Sequence, residues 1–406
     1  MSKPVITRPQ SQLAPLKIAI VAGEESGDLL GADLIDALRL QTDRLVEIVG
    51  VGGAHLQERG LKTLFNPHEI SLMGLGAVLK NLPKLIMRIH QTAKAIVAEK
   101  PDCLVIIDSP DFTHRVAKKV RLADPSIPIV KYIAPTVWAW RPRRAKEMRD
   151  YIDHVLTILP FEVDVLKKLH GPEATYVGHR LAGLQTILSA RAKQKKRVVF
   201  KDPTAPRQVL ILPGSRRSEI QGLMPVFGEA LKELALRFES IEAVLPTLPH
   251  LEEMVRELSK TWPVKPKIVV GDEAKYLAFS ESDAALAASG TVSLELALAQ
   301  VPTVLAYKTD WFARQFLLPR ITIWSAALPN IITDEPILPE YFDYYMRPGA
   351  LARQLQRLLI EGPAREAQIK GFEEVAELMA TDQPSGELAA SVVLKLANAR
   401  QPADKK

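Results

Sequence analysis

The stretch LILPGSRRSEI, Leu210 to Ile220, decides the fold, and AASGTVSLELAL, Ala287 to Leu298, repeats its design. Each begins as an apolar run typical of a buried strand and continues through a glycine-containing turn into a helical pattern. In a parallel α/β sheet such a junction lies at the carboxyl edge, where helix N-termini bind phosphate groups. The segment IAIVAGEESGD, Ile18 to Asp28, has the same form near the start of the chain. The sequence therefore predicts two similar halves that face one cleft.

Short runs rich in Val, Ile and Leu alternate with amphipathic stretches, which is typical of βαβ units with parallel strands. A chain of 406 residues exceeds one ordinary core, so we expect two domains. A basic segment with few apolar residues separates the two sets of strands. We predict an N-terminal domain over 1–188, a linker over 189–207, a second domain over 208–362, and C-terminal helices over 363–406 that cross back to the first domain.

The composition favours anionic partners without choosing among nucleotides, phospholipid surfaces and nucleic acid, because 53 basic and 47 acidic residues give a net charge of +6. Nucleic-acid binding is not expected, since the basic residues are dispersed and form no recognition motif. The single cysteine, Cys103, lies in an apolar run, which predicts a buried thiol. A chain that forms no internal disulfide fits a location in the reducing cytoplasm. Neither a signal peptide nor an apolar stretch of membrane-spanning length is expected.

The segment LPGSRRSEIQ predicts an anion site. Gly214 ends the strand in a tight turn, so backbone amides and Arg216 could share one anion. Ser218 and Gln221 have the spacing of a capping box. The alternative is that Ser218 only caps the helix and Arg216 is a solvated surface charge.

In SGTVSLE, Ser289 and Thr291 can cap the helix, but Glu295 lies four residues beyond Thr291, outside capping-box spacing. We therefore expect its carboxylate to be free to accept hydrogen bonds. A Glu in the first turns after such a loop is well placed to bind both ribose hydroxyls of a nucleotide whose phosphates lie at the helix N-terminus.

Five segments together resemble the lipid-A-disaccharide synthase family: GEESGD, IDSPDF, APTVWAWR, LPGSR and SGTVSLE. The resemblance covers nearly the whole chain in the same order. It implies an α/β fold of the GT-B glycosyltransferase architecture, with two Rossmann-like domains facing a cleft, and an inverting, metal-independent reaction in lipid A biosynthesis. The implied substrates are UDP-2,3-diacylglucosamine and 2,3-diacylglucosamine 1-phosphate, joined through a β(1→6) bond with release of UDP. No cofactor is implied.

The resemblance and the residues together give a set of candidate site residues. The base near the acceptor hydroxyl is Asp108, which the strand CLVII delivers to the carboxyl edge of the first sheet; we interpret Asp111 as a helix cap and Asp28 as structural. The UDP-sugar site comprises Gly214, Ser215, Arg216, Ser289, Gly290, Thr291, Glu295 and Asn330. The acceptor or sugar loop comprises Gly23, Glu24, Ser26, Gly27, Trp138 and Arg141. Simple capping is the alternative for the GEESGD loop, and an aromatic domain edge is the alternative for the tryptophans.

No metal is expected, because the chain lacks an Asp-x-Asp pair and its histidines lack ligand spacing. A helix N-terminus and Arg216 would instead stabilise the departing UDP.

The stretch from Leu72 to Val97 has apolar residues at helical spacing beside basic ones, and Pro83 is expected to divide it into two helices. A core helix with a solvated basic face is the default explanation. The alternative is an acyl-binding, membrane-contacting surface comprising Met73, Leu75, Val78, Leu79, Lys80, Lys84 and Arg88. That alternative predicts a cytoplasmic protein peripherally associated with the inner-membrane surface; a homodimer is a further expectation.

Two other functions remain open. Another GT-B enzyme that uses a UDP-sugar, such as an enzyme with a lipid acceptor or an epimerase, would share the ribose-binding Glu but not WAWR and IDSPDF. A non-catalytic nucleotide binder at the membrane surface would not need a base at Asp108. The chain also departs from the family pattern at Ala77, where Glu is common, and at Thr113, where Asn is usual; both changes affect acceptor contacts.

Overall fold

The computed structural model describes residues 13–70, 82–197, 206–309 and 320–399. The chain divides into two compact units: unit 1 is Met1–Arg180 with Thr381–Lys406, and unit 2 is Leu181–Ala380. In each unit the described residues include a six-stranded sheet whose strands all run parallel. The α/β class with two parallel sheets is therefore confirmed.

Unit 1 has the strand order β2-β1-β3-β4-β5-β6. Its strands are β1 (Leu16–Ala22), β2 (Val46–Val51), β3 (Cys103–Ile107), β4 (Ile129–Tyr132), β5 (His154–Thr157) and β6 (Glu173–Tyr176). Its helices are α1 (Glu25–Gln41), α2 (Ala54–Glu58), α3 (Leu82–Glu99), α4 (Pro110–Ala123), α5 (Arg143–Met148), α6 (Glu162–Lys168) and, at the end of the chain, α15 (Ser385–Ala399).

The central strands of unit 1 are buried on both faces, as their unbroken apolar sequences predict. Ile18 and Ile20 of β1 belong to one core cluster, whereas Ala19 and Val21 belong to the other. This division follows from the two-residue period of a strand, which points successive side chains to opposite faces. Cys103 in β3 is fully buried, as expected.

Unit 2 has the strand order β12-β11-β10-β7-β8-β9. Its strands are β7 (Arg207–Leu212), β8 (Ile241–Thr247), β9 (Pro266–Val270), β10 (Ala284–Ala288), β11 (Thr303–Tyr307) and β12 (Glu340–Phe342). Its helices are α7 (Gln185–Gln194), α8 (Arg217–Ala235), α9 (Glu252–Ser259), α10 (Asp272–Glu281), α11 (Thr291–Ala299), α12 (Leu328–Thr333), α13 (Pro348–Leu358) and α14 (Pro363–Leu378).

The boundary between the units lies at Arg180, ahead of the linker predicted over 189–207. The reason is α7, which packs against α10 and α11 of unit 2. The buried amide of Gln194 anchors it there by donating to the carbonyl oxygens of Phe279 and Ser282 at 2.6 and 2.8 Å. A helix that overlaps the start of the predicted linker therefore packs on unit 2.

The C-terminal helices predicted over 363–406 divide between the units. Helix α14 stays in unit 2, where it packs against α11 and α12. Helix α15 returns to unit 1 and lies against α1. There the Gln41 side chain donates to the carbonyl oxygen of Glu387 at 2.9 Å and accepts from the Ser391 hydroxyl at 3.0 Å.

Candidate active site

Asp108 lies directly after β3, at the carboxyl edge of the unit 1 sheet. Its φ is +45° and that of Ser109 is +34°, so two consecutive non-glycine residues adopt the left-handed conformation. Each such residue costs about 1–2 kcal/mol. The strained turn directs the carboxylate at the start of α1, where it accepts from the backbone N–H groups of Gly23 at 3.0 Å and Glu24 at 3.2 Å.

Two glycines of the GEESGD loop make this approach possible. A Cβ on Gly27 would lie 1.8 Å from Asp108 Oδ2, and one on Gly23 would lie 2.3 Å from the Ser109 hydroxyl oxygen. The loop was expected to admit a sugar or phosphate at these glycines. The structure instead fills the space with the Asp108 turn, while Ser26 is exposed in the first turn of α1.

The surroundings of Asp108 suit a general base. The pKa of its carboxyl is raised to about 6, mainly by burial and to a smaller extent by the Glu24 carboxylate, while the Gly23 N–H and the Lys131 ammonium oppose the increase. A base whose pKa lies near the working pH is deprotonated often enough to act and still basic enough to take a proton. The position predicted as the base therefore has the electrostatics that the role requires.

A pocket of about 240 Å³ opens beside Asp108. Of the predicted acceptor residues, Glu24 and Arg141 line it. Trp138 does not, because its indole N–H donates to buried Glu162 at 3.1 Å. Trp140 and Arg144, for which the sequence also left open a contact with an anionic acceptor, line the pocket as well. Lys131 is a lining residue to which the sequence assigned no role.

Trp140 and Arg141 form one side of this pocket as a stacked pair, with the guanidinium carbon 4.1 Å from the ring centre. Arg141 is held in the left-handed conformation, at φ +52°. The WAWR segment is a turn between β4 and α5 rather than a strand. Its alternating aromatics therefore do not share a face, and only the second lies at the pocket.

The two remaining acidic residues of these motifs have different outcomes. Asp28 is buried and accepts from the backbone N–H groups of Gly53 at 2.6 Å and His55 at 2.8 Å, which confirms its structural role. Asp111 is not the cap of α4. The cap position is Ser109, and Asp111 lies within the first turn with its side chain exposed.

The described edge of the unit 2 sheet carries a pocket of about 360 Å³ at the ends of β7 and β10. It brings together all of the predicted UDP-sugar residues except Asn330: Gly214, Ser215, Arg216, Ser289, Gly290, Thr291 and Glu295. Sequence reasoning missed five further polar or glycine residues of the lining: Glu219, Thr247, Gly271, Asp272 and Lys275. The strand–turn–helix motifs therefore predicted a real cavity.

The LPGSR loop is organised by Glu219. Its carboxylate accepts from the backbone N–H groups of Ser215 at 3.3 Å and Arg216 at 3.4 Å, and pairs with the Arg216 guanidinium at 3.1 Å. Arg216 is the cap residue of α8, so the capping box predicted for Ser218 and Gln221 is wrong. The anion that the loop amides and Arg216 share in this structure is the carboxylate of Glu219.

Gly214 is required in this loop for two reasons. Its φ is +109°, and a Cβ would lie 2.5 Å from Glu219 Oε2. In the second motif the cap of α11 is Gly290 rather than Ser289 or Thr291. The Ser289 hydroxyl instead donates to the carbonyl oxygen of Ala326 at 3.2 Å.

The Glu295 carboxylate lies in the pocket, as predicted, and forms an ion pair with Lys275 at 2.9 Å that the sequence did not predict. Although burial lowers it, the Glu295 carboxylate holds the pKa of Lys275 above its ordinary value. Lys275 lies on α10, which follows β9 through Gly271 at φ +92°. That segment, KIVVGDEAK, has the same strand–turn–helix form as the predicted motifs, and this was the signal that could have found Lys275.

Asn330 lies away from this pocket. It is buried, and its amide donates to Ser325 Oγ at 3.2 Å and to the Leu338 carbonyl at 3.0 Å. Its side-chain oxygen accepts from the Leu338 N–H at 2.8 Å. Asn330 therefore holds the start of α12 against the approach to β12, and its contact with a nucleotide sugar stays a prediction.

The basic residues of the proposed acyl surface are paired where the structure describes them. Glu69 accepts from Arg88 at 2.8 Å and pairs with Lys84 at 3.2 Å, and the Arg88 guanidinium lies 4.6 Å from the Phe65 ring centre. Five residues of that surface lie outside the described residues: Met73, Leu75, Val78, Leu79 and Lys80.

The described helices include none of the length and apolarity needed to cross a membrane. Within the same residues, no cluster of three His, Cys, Asp or Glu side chains could hold a metal ion.

The family of the chain follows from its sequence relatives. The family model described as lipid-A-disaccharide synthetase matches residues 18–392. The chain belongs to the lipid-A-disaccharide synthase family. The synthase of Rhodopseudomonas palustris strain BisB18 is 46% identical over 388 residues, which cover 95% of this chain and 97% of that protein. The synthase of Rhodospirillum centenum is 42% identical over 396 residues, covering 97% and 98%.

Solved structures with little sequence identity share the fold of this synthase family member. Acinetobacter baumannii MurG superposes with a TM-score of 0.55 at 15% identity, over 93% of this chain and 99% of that one. S. aureus MnaA, solved with UDP, superposes with a TM-score of 0.57 at 14% identity, over 93% and 94%. The predicted GT-B architecture is confirmed.

Proposed function

We propose that Asp108 is the general base and the unit 2 pocket the donor site of a reaction that joins UDP-2,3-diacylglucosamine to 2,3-diacylglucosamine 1-phosphate. As a member of its family, the chain is a glycosyltransferase that forms the lipid A disaccharide. The proposal rests on the environment of the Asp108 carboxylate. Two backbone N–H groups hold it beside a pocket, and its pKa is raised to about 6.

The donor half of the proposal rests on the unit 2 pocket. The N-terminus of α11 opens into it, and Arg216 and Lys275 line it, so it combines a helix dipole with two cations. A UDP diphosphate fits this charge, and the Glu295 carboxylate is placed to accept from ribose hydroxyls. The structural similarity to MnaA, which was solved with UDP, supports a uridine nucleotide.

The chemical step needs one base and one stabilised leaving group. Asp108 takes the proton of the acceptor's 6-hydroxyl as that oxygen bonds to the anomeric carbon of the donor. The bond between this carbon and the β-phosphate oxygen breaks, and its electron pair leaves with UDP. Attack from the opposite side inverts the configuration and produces the β linkage. Arg216 and the α11 N-terminus stabilise the charge that develops on UDP.

The acceptor half rests on the cations beside Asp108. Arg141 and Arg144 line the same pocket, and guanidinium groups bind phosphate in a bidentate manner. We assign them to the 1-phosphate of the acceptor. Trp140, stacked on Arg141, fixes the position of that guanidinium.

Association with the inner-membrane surface, a cytoplasmic location and a homodimer stay predictions. Both substrates carry acyl chains, and each CH₂ removed from lipid costs about 0.8 kcal/mol, so the enzyme must meet its substrates at the bilayer. Because Lys84 and Arg88 pair with Glu69, we expect apolar residues to contribute more than these two cations. Vesicle binding abolished by charge reversal at Lys84 and Arg88 alone would contradict this expectation.

The test is a mass-resolved assay of the purified protein with both substrates, run with and without EDTA. Disaccharide 1-phosphate and UDP in equal amounts, unaffected by EDTA, would support the substrate pair and the metal-independent mechanism. Failure to form product while UDP still binds would overturn the acceptor assignment and favour another GT-B reaction. UDP binding with neither transfer nor hydrolysis on any sugar donor would favour the non-catalytic binder.

A further inference from the structure

A buried lysine lies beneath the Asp108 turn. Lys131 is a lone charged residue within β4 and is 1% exposed. Its ammonium donates to the backbone carbonyl oxygen of Asp108 at 2.8 Å. The Thr113 hydroxyl, on a residue with no exposed surface, donates to the same carbonyl at 2.8 Å and to that of Ser109 at 3.2 Å.

These two donors act at the point where the backbone is strained. Asp108 and Ser109 are consecutive residues with positive φ, a conformation that persists only when surrounding groups hold it. On the carboxylate side, the N–H groups of Gly23 and Glu24 hold Asp108. On the carbonyl side, the hydroxyl and the ammonium hold it. The turn is therefore fixed from both ends of the residue.

We propose that Lys131 and Thr113 are positioning residues for catalysis, which hold the Asp108 turn through its carbonyl, and that the charge of Lys131 also keeps the Asp108 carboxylate ionised. This inference rests on the proposed function, in which Asp108 is the base. The Thr113 side chain faces the Asp108 turn from within α4 and is wholly buried, so it contacts this turn and not an acceptor, contrary to the expectation for this position.

The charges around Asp108 define what Lys131 contributes. Glu24 at the start of α1, Lys131 on β4, Arg141 in the turn after β4 and Arg144 on α5 line the pocket with it. Glu24 raises the pKa of Asp108, and Lys131 lowers it. Behind them, burial lowers the pKa of His114 to about 2, so this imidazole adds no charge at neutral pH.

The first test compares Lys131→Met with Lys146→Met, which removes an exposed lysine from α5. In Lys131→Met we expect kcat to fall about tenfold or more, as loss of base positioning implies, with the KM for donor unchanged. The acid limb of the kcat profile should move to higher pH, because the cation that lowers the pKa of Asp108 is gone. Lys146→Met should change neither. An unmoved acid limb or an unchanged kcat in Lys131→Met would overturn the proposal.

Thr113 supplies a test without a change of charge. Thr113→Val removes the hydroxyl at nearly constant shape, and we expect kcat to fall severalfold, as loss of one buried hydrogen bond implies, while the acid limb stays in place. Thr113→Ser keeps the hydroxyl and should retain wild-type kcat. Equal activity of the Val and Ser variants would contradict the positioning role. This pair keeps the proposal testable even if Lys131→Met fails to fold, which far-UV circular dichroism and thermal unfolding of the variant would reveal.

A double-mutant cycle separates this proposal from the proposed function. If Lys131 acts through Asp108, Lys131→Met should lower kcat no further in an Asp108→Asn background. Equal losses in both backgrounds would show that Lys131 acts elsewhere and would overturn the inference while leaving the base assignment intact. Near-normal kcat in Asp108→Asn alone would instead overturn the base assignment.

Discussion

The carboxyl edges of the two sheets use the same construction for different purposes. In unit 1 the amides at the start of α1 bind the Asp108 carboxylate, and burial raises the pKa of that group. In unit 2 the amides before α8 bind the Glu219 carboxylate, which pairs with an Arg216 side chain that is 61% exposed. We propose that the first edge serves proton transfer, whereas the second carries an open pocket lined by cations.

A helix N-terminus does not by itself define a ligand site in this chain. Both loops satisfy their amides with a carboxylate of the chain, and glycines at positions 27 and 214 make room for it. What distinguishes the edges is the second layer. A buried lysine lies behind Asp108, and the N-terminus of α11 with Lys275 and Glu295 lies beside Glu219.

We expect the largest effect on turnover from removing the proposed base at the unit 1 edge. Asp108→Asn keeps the shape of the side chain and removes the base, so kcat should fall roughly a hundredfold or more. Turnover by the mass-resolved assay measures this. Asp164→Asn, on an exposed residue of α6 that lies outside the pocket lining, is the matched control and should retain activity. Near-normal turnover of Asp108→Asn would refute the assignment of proton transfer to the unit 1 edge.

The next effect concerns the unit 2 edge. Glu295→Gln removes the charged acceptor proposed for the ribose hydroxyls and leaves Lys275 with only the longer ion pair to Asp272 at 3.6 Å. A hydrogen bond to a charged group is worth about 1.5–3 kcal/mol, so the Kd for UDP should rise roughly ten- to a hundredfold. Calorimetric titration measures it, with exposed Glu273→Gln on α10 as the control. Equal Kd values for both variants would remove Glu295 from the site.

A smaller effect concerns the pH dependence of kcat, which reports the charges around Asp108 in unit 1. Activity should decline as the pH falls through the pKa of Asp108, about 6, because the protonated carboxyl cannot act as a base. Glu24 raises that pKa, so Glu24→Gln should move the acid limb of kcat to lower pH. A limb that stays in place would exclude Asp108 as its source.

The smallest effect concerns Glu219. Its carboxylate competes with a diphosphate for Arg216 and for two backbone amides. Glu219→Gln should therefore tighten UDP binding, by up to about 1 kcal/mol, the range of exposed ion pairs. Glu229→Gln, on the same helix and outside the pocket, should have no effect. Weaker UDP binding in Glu219→Gln would show that holding the loop matters more than competition.

The sequence predicted the parts of the molecule that follow from local pattern. Apolar strands, glycine turns and helix starts were recognisable in GEESGD, LPGSR and SGTVSLE, so seven residues of the unit 2 pocket and the position of Asp108 could be predicted. The start of α8 was misjudged, because Arg216 rather than Ser218 takes the cap position and Glu219 then supplies the carboxylate. Helix ends are poorly specified by sequence, since several polar residues can cap.

The rest depended on tertiary contacts that no local pattern contains. Lys131 reads as one charge in an apolar strand, and only the neighbouring turn after β3 gives its ammonium a partner. Lys275 and Glu295 lie on different helices and meet across the pocket. Asn330 fits a turn motif, but its amide is satisfied by Ser325 and Leu338. The basic helix α7 joins unit 2 because its buried glutamine finds carbonyl partners there.

Calorimetric titration of UDP into the wild type, Asp108→Asn, Arg216→Ala and Arg217→Ala tests the division between the two edges most directly. The account predicts unchanged affinity in Asp108→Asn and Arg217→Ala, whose side chains lie outside the unit 2 pocket, and roughly ten- to a hundredfold weaker binding in Arg216→Ala. Loss of UDP affinity in Asp108→Asn with full affinity in Arg216→Ala would contradict it.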